Sequence, residues 1–234
     1  MDNLLRNYLE KKFYETEEKS NNGPGPVVTF SREFGCPSKL IAQLLVDTLN
    51  KYSRTEKKPK WRFINKEILE EAARELELKP VEMNYMLNSG EKGLVEDMLI
   101  SFSTTYVSNI KIKKTITRVI QGFASQGHVV MVGRGSAAIL QGRQNTLNLR
   151  LVAPVEWRIR EIMKLKNINA GTARKMVKLM DAKRTSLIEL FLGHQMDLYL
   201  FDMLINCSRS SLEEIVSVIF GLMEARNMFR ESII

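Results

Sequence analysis

Residues that hold metals are scarce in this chain. It has two histidines, His128 and His194, so a His-rich metal site is excluded. Its two cysteines, Cys36 and Cys207, lie far apart in sequence and give neither a disulfide framework nor a metal-ligand spacing. Long apolar runs are missing too: none approaches the roughly 20 residues that a membrane-spanning helix needs. The start, Met1-Asp-Asn-Leu-Leu-Arg6, has no basic segment followed by an apolar one. No signal peptide is evident, and the cytoplasm is the expected compartment. Internal repeats and low-complexity tracts are absent as well. What is there is ordinary for a globular chain of 234 residues, at 44% hydrophobic and 26% charged.

The distribution of charge is less ordinary. The net charge is +8. Between Arg158 and Arg184 stand nine basic residues (Arg158, Arg160, Lys164, Lys166, Arg174, Lys175, Lys178, Lys183 and Arg184) against two acids, Glu161 and Asp181. A second basic cluster holds Lys51, Arg54, Lys57, Lys58, Lys60 and Arg62. Three readings stand open: solvated helix faces and a loop, polyphosphate binding, or contact with a nucleic-acid backbone.

The stretch from Val27 to Leu49 organises the chain. Val27 to Phe30 is a short, β-branched apolar run that suits a buried strand. From Ser38 the apolar residues Leu40, Ile41, Leu44, Leu45 and Leu49 recur at helical spacing. Gly35, Pro37 and Ser38 make the turn between them. Strand, tight turn and helix present free N–H groups to an anion. The turn is not a G-x-x-x-x-G-K-[ST] sequence, so a phosphate loop and a plain strand-turn-helix corner both fit.

Ahead of this stretch, residues 2–19 read as a charged helix, and Ser20 to Pro26 as a Pro- and Gly-rich linker. Residues 1–26 are therefore an extension. After it, strands are expected at Trp61–Ile64, Val129–Val132, Leu147–Val152 and Met203–Asn206. Helices are expected at roughly 66–77, over much of 80–126, from Pro154 onward and at 170–190. Asn65 to Glu67 can cap the first of these. A last helix opens on a capping box, Ser211 to Glu214, and runs to about Ala225. Gly133-Arg134-Gly135-Ser136 directly follows a strand, at the end where open α/β sheets bind ligands. Strands alternating with helices predict a mostly parallel sheet flanked by helices.

These residues resemble a known family. V-V-T-F-S-R-E-F-G over 27–35 is similar to I-T-I-S-R-E-Y-G, the opening of the bacterial cytidylate kinase-like proteins. Residues 64–69 are similar to the family's Y-D-K-E-L-I, and 132–140 to V-G-R-C-A-x-Y-I-L. Residues 151–159 are similar to I-x-A-P-x-E-x-R-I, Asp181 to Arg184 to D-x-x-R, and 201–206 to Y-D-L-x-I-N. Six landmarks in register span about residue 27 to residue 206. The resemblance implies a P-loop nucleoside-monophosphate-kinase fold: α/β, with a five-stranded parallel sheet. The domain would be 27–234, with a helical insertion at about 66–126 that binds the monophosphate and a basic lid at about 160–195.

The implied reaction passes the γ-phosphoryl group of ATP, with Mg²⁺, to a nucleoside monophosphate such as CMP. Such chemistry asks mainly for positioning and positive charge. Ser31, Gly35, Cys36, Ser38 and Lys39 would bind the donor phosphates. Arg134 would hold the acceptor phosphate. Arg158 and Arg184 would contact phosphates in the closed state. Asp181 would orient Arg184 or stand near the substrate and metal. Asp202 would orient the last strand. The metal ligands and the oligomeric state are open.

Departures from the family pattern keep other readings open. Pro37 replaces a glycine and removes a backbone donor from the loop. Lys39 stands where a P-loop carries the Mg²⁺-binding hydroxyl, and Gly135 stands where ordinary cytidylate kinases carry an acid. A non-catalytic nucleotide-binding or regulatory protein on the same fold is the second reading. A nucleic-acid-binding basic module is a minor third.

Overall fold

Short, mostly apolar runs form the five strands: β1 (Val27–Arg32), β2 (Arg62–Ile64), β3 (Val129–Val132), β4 (Thr146–Val152) and β5 (Met203–Asn206). The structure is a computed structural model that describes residues 25–52, 59–77 and 109–229. The expected helix at 2–19, most of the 51–60 loop and the stretch 80–108 lie outside the described residues. The strands order as β2-β3-β1-β4-β5, and every pairing is parallel. Val27 pairs with Val129 on one side and Thr146 on the other, so β1 is central.

A central parallel strand is buried on both faces, which is why β3 reads as a continuous apolar run and why β1 buries Thr29 and Ser31 along with its apolar residues. Successive side chains serve opposite faces. Val28, Phe30, Val130 and Val132 pack with α1 (Ser38–Tyr52) and with the last helix, α7 (Leu212–Ala225). Val27, Val129 and Met131 pack with α2 (Glu67–Glu75) and α3 (Asn109–Gln126). Phe30, Leu45, Ile116 and Leu149 are fully buried, each contributing about 1.5–3 kcal/mol of apolar transfer.

The remaining helices are α4 (Ser136–Ile139), α5 (Val155–Lys166) and α6 (Ala170–Leu192). Local chemistry sets their ends. Asn169 caps α6 by accepting from Thr172 N–H at 2.9 Å, and Gly193 closes it in the left-handed conformation. The expected capping box is present: Glu214 N–H donates to Ser211 Oγ at 3.2 Å, and Ser211 N–H to Glu214 Oε2 at 2.7 Å. At α2 the expected capping segment, Asn65 to Glu67, has Lys66 at the cap position with no side-chain bond to the helix N–H groups. There the Glu67 carboxylate accepts from Asn65 N–H at 2.8 Å. Asp202 accepts from Asn148 N–H at 2.6 Å and from Arg226 at 2.8 Å, and so ties the approach to β5 to β4 and the end of α7.

One consequence of the topology positions the site. The chain leaves β1 toward α1 on one face, and leaves β3 toward α4, which packs beside α3 on the other. β1 and β3 are neighbours, so a crevice opens between their carboxyl ends.

Candidate functional site

A cavity of about 260 Å³ fills that crevice. Its walls are the end of β1 (Phe30, Ser31, Arg32), the turn from Gly133 to Ala137, and one face of α6 carrying Met180, Lys183, Arg184, Leu187 and Ile188. Four lining residues are cationic: Arg32, Arg134, Lys183 and Arg184. None is an acid. Burial holds the Arg134 and Arg184 guanidiniums below their ordinary range. Arg32 is pushed down to about 9, first by burial and then by repulsion from Arg184 and Arg134. It still carries its charge at neutral pH. Like charges gathered in a half-buried crevice raise its potential and draw anions in.

The turn after β3 shapes this wall. Gly133, Arg134 and Gly135 all have positive φ, at 75°, 61° and 76°. The non-glycine Arg134 pays about 1–2 kcal/mol for that conformation. The two glycines do different jobs. A Cβ on Gly133 would lie 1.8 Å from Arg32 Nη1, so its bare backbone seats that guanidinium. A Cβ on Gly135 would lie 2.3 Å from the Phe191 ring, so it seats α6. Gly135→Ala is expected to lower folding stability by about 2 kcal/mol, because overpacking adds to left-handed strain. Urea unfolding would measure it, and an unchanged midpoint would contradict the tight seat.

The loop after β1 lies beside this cavity, and four of its backbone donors are already in use. Glu33 N–H donates to Leu151 O at 3.0 Å, Cys36 N–H to Glu33 O at 3.2 Å and Ser38 N–H to Cys36 O at 2.9 Å. Phe34 N–H donates to Asp181 Oδ1 at 2.6 Å. Pro37 has no N–H to give. The α carbon of Gly35, with φ of 103°, faces the Arg158 backbone, where a Cβ would come within 2.9 Å of Arg158 Cβ. Cys36 and Cys207 are both buried in the same core cluster, and the neighbouring Cys207 thiol together with burial holds Cys36 far above the ordinary thiol range. Cys36 is therefore a neutral thiol inside the core.

Arg158 fastens the loop to α5 and α6. Only 3% exposed, it donates from Nε to Ala153 O at 2.9 Å and from Nη1 to Phe34 O at 3.1 Å. It pairs with Asp181 Oδ2 at 2.5 Å and Glu33 Oε2 at 3.3 Å. Glu33 also accepts from Ala153 N–H at 3.0 Å. Arg184 lies over the Phe34 ring at 5.1 Å and donates to Arg32 O at 3.3 Å.

The predicted residues thus divide. Ser31, Arg134 and Arg184 meet in the cavity. Gly35, Cys36, Ser38 and Lys39 form the adjoining loop and α1 start, with Lys39 exposed, and do not line the cavity. Arg158 and Asp181 lie behind the loop, paired with each other. The sequence reading missed Arg32 and Lys183 as cavity residues. Arg32 stands at the carboxyl end of β1, beside the crevice that the switch in chain direction creates. That position is a signal once the strand order is known.

The residues do not fit a protein-ligated Mg²⁺. Such an ion takes one or two carboxylates in octahedral geometry with water and phosphate. Among the described residues no acid lines the cavity, and Glu33 and Asp181 are engaged with Arg158 and backbone N–H groups. Among the described residues no group of three or more His, Cys, Asp or Glu could hold a metal. No helix among them is long and apolar enough to cross a membrane.

Similar folds occur in known proteins. An uncharacterised protein from Eubacterium ventriosum ATCC 27560 is 18% identical, with a TM-score of 0.59, over 86% of this chain and 98% of its own. Shikimate kinase from Bacteroides thetaiotaomicron is 10% identical, with a TM-score of 0.50, over 85% of this chain and 98% of its own. At these identities the likeness shows the fold. No curated protein matches this chain. The model of one protein family does, over residues 27–209. That stretch takes in all five strands, the loop after β1, the cationic turn after β3 and the α5–α6 segment, and the chain belongs to the cytidylate kinase-like family.

Proposed function

We propose that this chain is a nucleotide kinase-like protein that holds the phosphate of a nucleoside monophosphate, CMP-like, in the crevice between β1 and β3. The observation that carries this reading is the cavity itself, which among the described residues has four cationic side chains and no acid, at the switch point of a parallel sheet. Arg134 and Arg184 bind the acceptor phosphate, with Ser31 as a hydroxyl partner. The α5–α6 segment acts as the lid of about 160–195, closing over phosphate to exclude water. Phosphoryl transfer from ATP is the family's reaction. It requires the loop after β1 to take the donor phosphates, with the N–H groups of Gly35, Cys36, Ser38 and Lys39 re-aimed toward them.

Thermal unfolding with CMP, UMP, AMP and ATP, followed by assay of ADP formation with the best monophosphate, tests this. A ligand at about 100 times its dissociation constant adds about 2.7 kcal/mol, which a melting curve resolves. A shift with CMP and with ATP, then ADP formation dependent on CMP, is expected. No shift with any monophosphate would overturn the acceptor reading.

A second reading has its own observation. The loop N–H groups of Glu33, Phe34, Cys36 and Ser38 already have partners, and Pro37 has none to offer. A nucleotide-binding protein without turnover fits that loop. A shift with CMP but no ADP formation would select it. The nucleic-acid reading is the weakest, because Arg158, Lys183 and Arg184 face inward.

A further inference from the structure

We propose that Arg32 anchors the anion in this cavity, and that the site takes a phosphate monoester on side-chain cations alone, without a metal held by protein carboxylates. This deepens the reading above and rests on its placing of a phosphate in the crevice.

The contrast with Arg158 makes the case. Both are arginines at the edge of the same loop. Arg158 is enclosed by acceptors: two carboxylates and two carbonyls. That is how a buried cation is made tolerable. Arg32 has the opposite surroundings. No carboxylate pairs with it among the described residues, and the charged groups that act on it are the cations Arg184 and Arg134. The fold nevertheless gives its guanidinium a built seat. Gly133 leaves room where a Cβ would collide with Nη1, and Arg184 tethers the Arg32 carbonyl at 3.3 Å. A cation held in place among cations is stabilised by a dianion that bridges them. The planar guanidinium offers paired N–H donors that match two oxygens of a phosphate, which a lysine ammonium does not. The missing acids agree with this. With no carboxylate among the described lining residues, none of them is suited to hold Mg²⁺, and Arg32, Arg134, Lys183 and Arg184 supply the neutralising charge.

The test is calorimetric titration of the full chain with CMP, inorganic phosphate and cytidine, each in EDTA and again in Mg²⁺. The variants are Arg32→Gln, Arg32→Lys and, as a control for exposed charge, Lys164→Gln. CMP and phosphate are expected to bind equally in EDTA and Mg²⁺, and cytidine at least tenfold more weakly than CMP. Arg32→Gln should weaken CMP and phosphate at least tenfold, Arg32→Lys should weaken them less, and Lys164→Gln should leave them unchanged. The melting temperature of Arg32→Gln without ligand should equal or exceed that of the parent chain, because a repelled cation is gone. An Arg32→Gln chain that binds normally, or that fails to fold, overturns the anchor. Binding abolished by EDTA overturns the metal-free site. If phosphate binds through Arg32 while CMP binds no better than phosphate, the anchor stands and the nucleoside reading falls. If CMP binds and Arg32 is indifferent, the reverse holds.

Discussion

Replacing Arg158 with alanine is expected to destabilise the folded chain by about 3–5 kcal/mol, the range for breaking one side of a buried ion pair. Arg158 is 3% exposed and joins segments that are remote in sequence. Its guanidinium holds Glu33 and Asp181 together and bonds the carbonyls of Phe34 and Ala153. Alanine keeps the Cβ against Gly35, so the backbone packing there survives. What is lost is the only cation paired with Glu33 and Asp181 among the described residues, which leaves two carboxylates close together with reduced access to water. Total stabilities of about 5–15 kcal/mol make such a loss a large share. Arg158→Lys should fall between, since one ammonium cannot reach all four acceptors. Urea midpoints at neutral pH would measure both. A loss below about 1 kcal/mol for alanine would mean that the network is worth no more than an exposed pair.

This arginine also shows where the sequence is legible and where it is not. Every strand was expected within about two residues of its place, because each is a short apolar run bounded by turn residues. The α7 capping box was visible because both partners lie three residues apart. Arg134 was visible as a candidate because it sits in a glycine-flanked turn directly after a strand. Arg158, by contrast, was expected at a phosphate or on an exposed helix face, and the structure places it in the interior. Its partners Glu33 and Asp181 are distant in sequence, and no local pattern says that three segments converge on it. Arg32 was passed over for a related reason. Its side chain is seated by Gly133, from a neighbouring strand's turn, so its destination depends on the β1–β3 pairing. Cys36 and Cys207, unrelated by spacing, meet in one core cluster for the same reason.

Asp181→Ala is expected to strengthen ATP binding by about 10- to 100-fold while lowering the unfolding midpoint. The Asp181 carboxylate sits 2.6 Å from Phe34 N and beside Arg158 Nη1. It is an anion from α6 occupying a backbone donor of the loop that, in the reading proposed above, would receive the donor phosphates. An incoming phosphate must displace it, and a charge-assisted hydrogen bond of about 1.5–3 kcal/mol sets the size of that competition. Alanine removes the competitor and leaves Phe34 N–H and one face of Arg158 open to the ligand. The same change takes one of Arg158's two acidic partners, so stability falls while affinity rises. A merely structural role for Asp181 would lower both together. Asp181→Asn separates charge from hydrogen bonding, because its carbonyl oxygen can still accept from Phe34 N–H without opposing a phosphate. It should give a smaller gain and a smaller loss of stability. Titration of ATP into the three chains, alongside their melting curves, reads both quantities. Weaker ATP binding in Asp181→Ala than in the parent chain would show that Asp181 assists the donor rather than competing with it. An unchanged affinity would show that ATP does not use the loop after β1. In that case the cationic crevice between β1 and β3 is the chain's working site, and the loop serves to fasten α5 and α6 to the sheet.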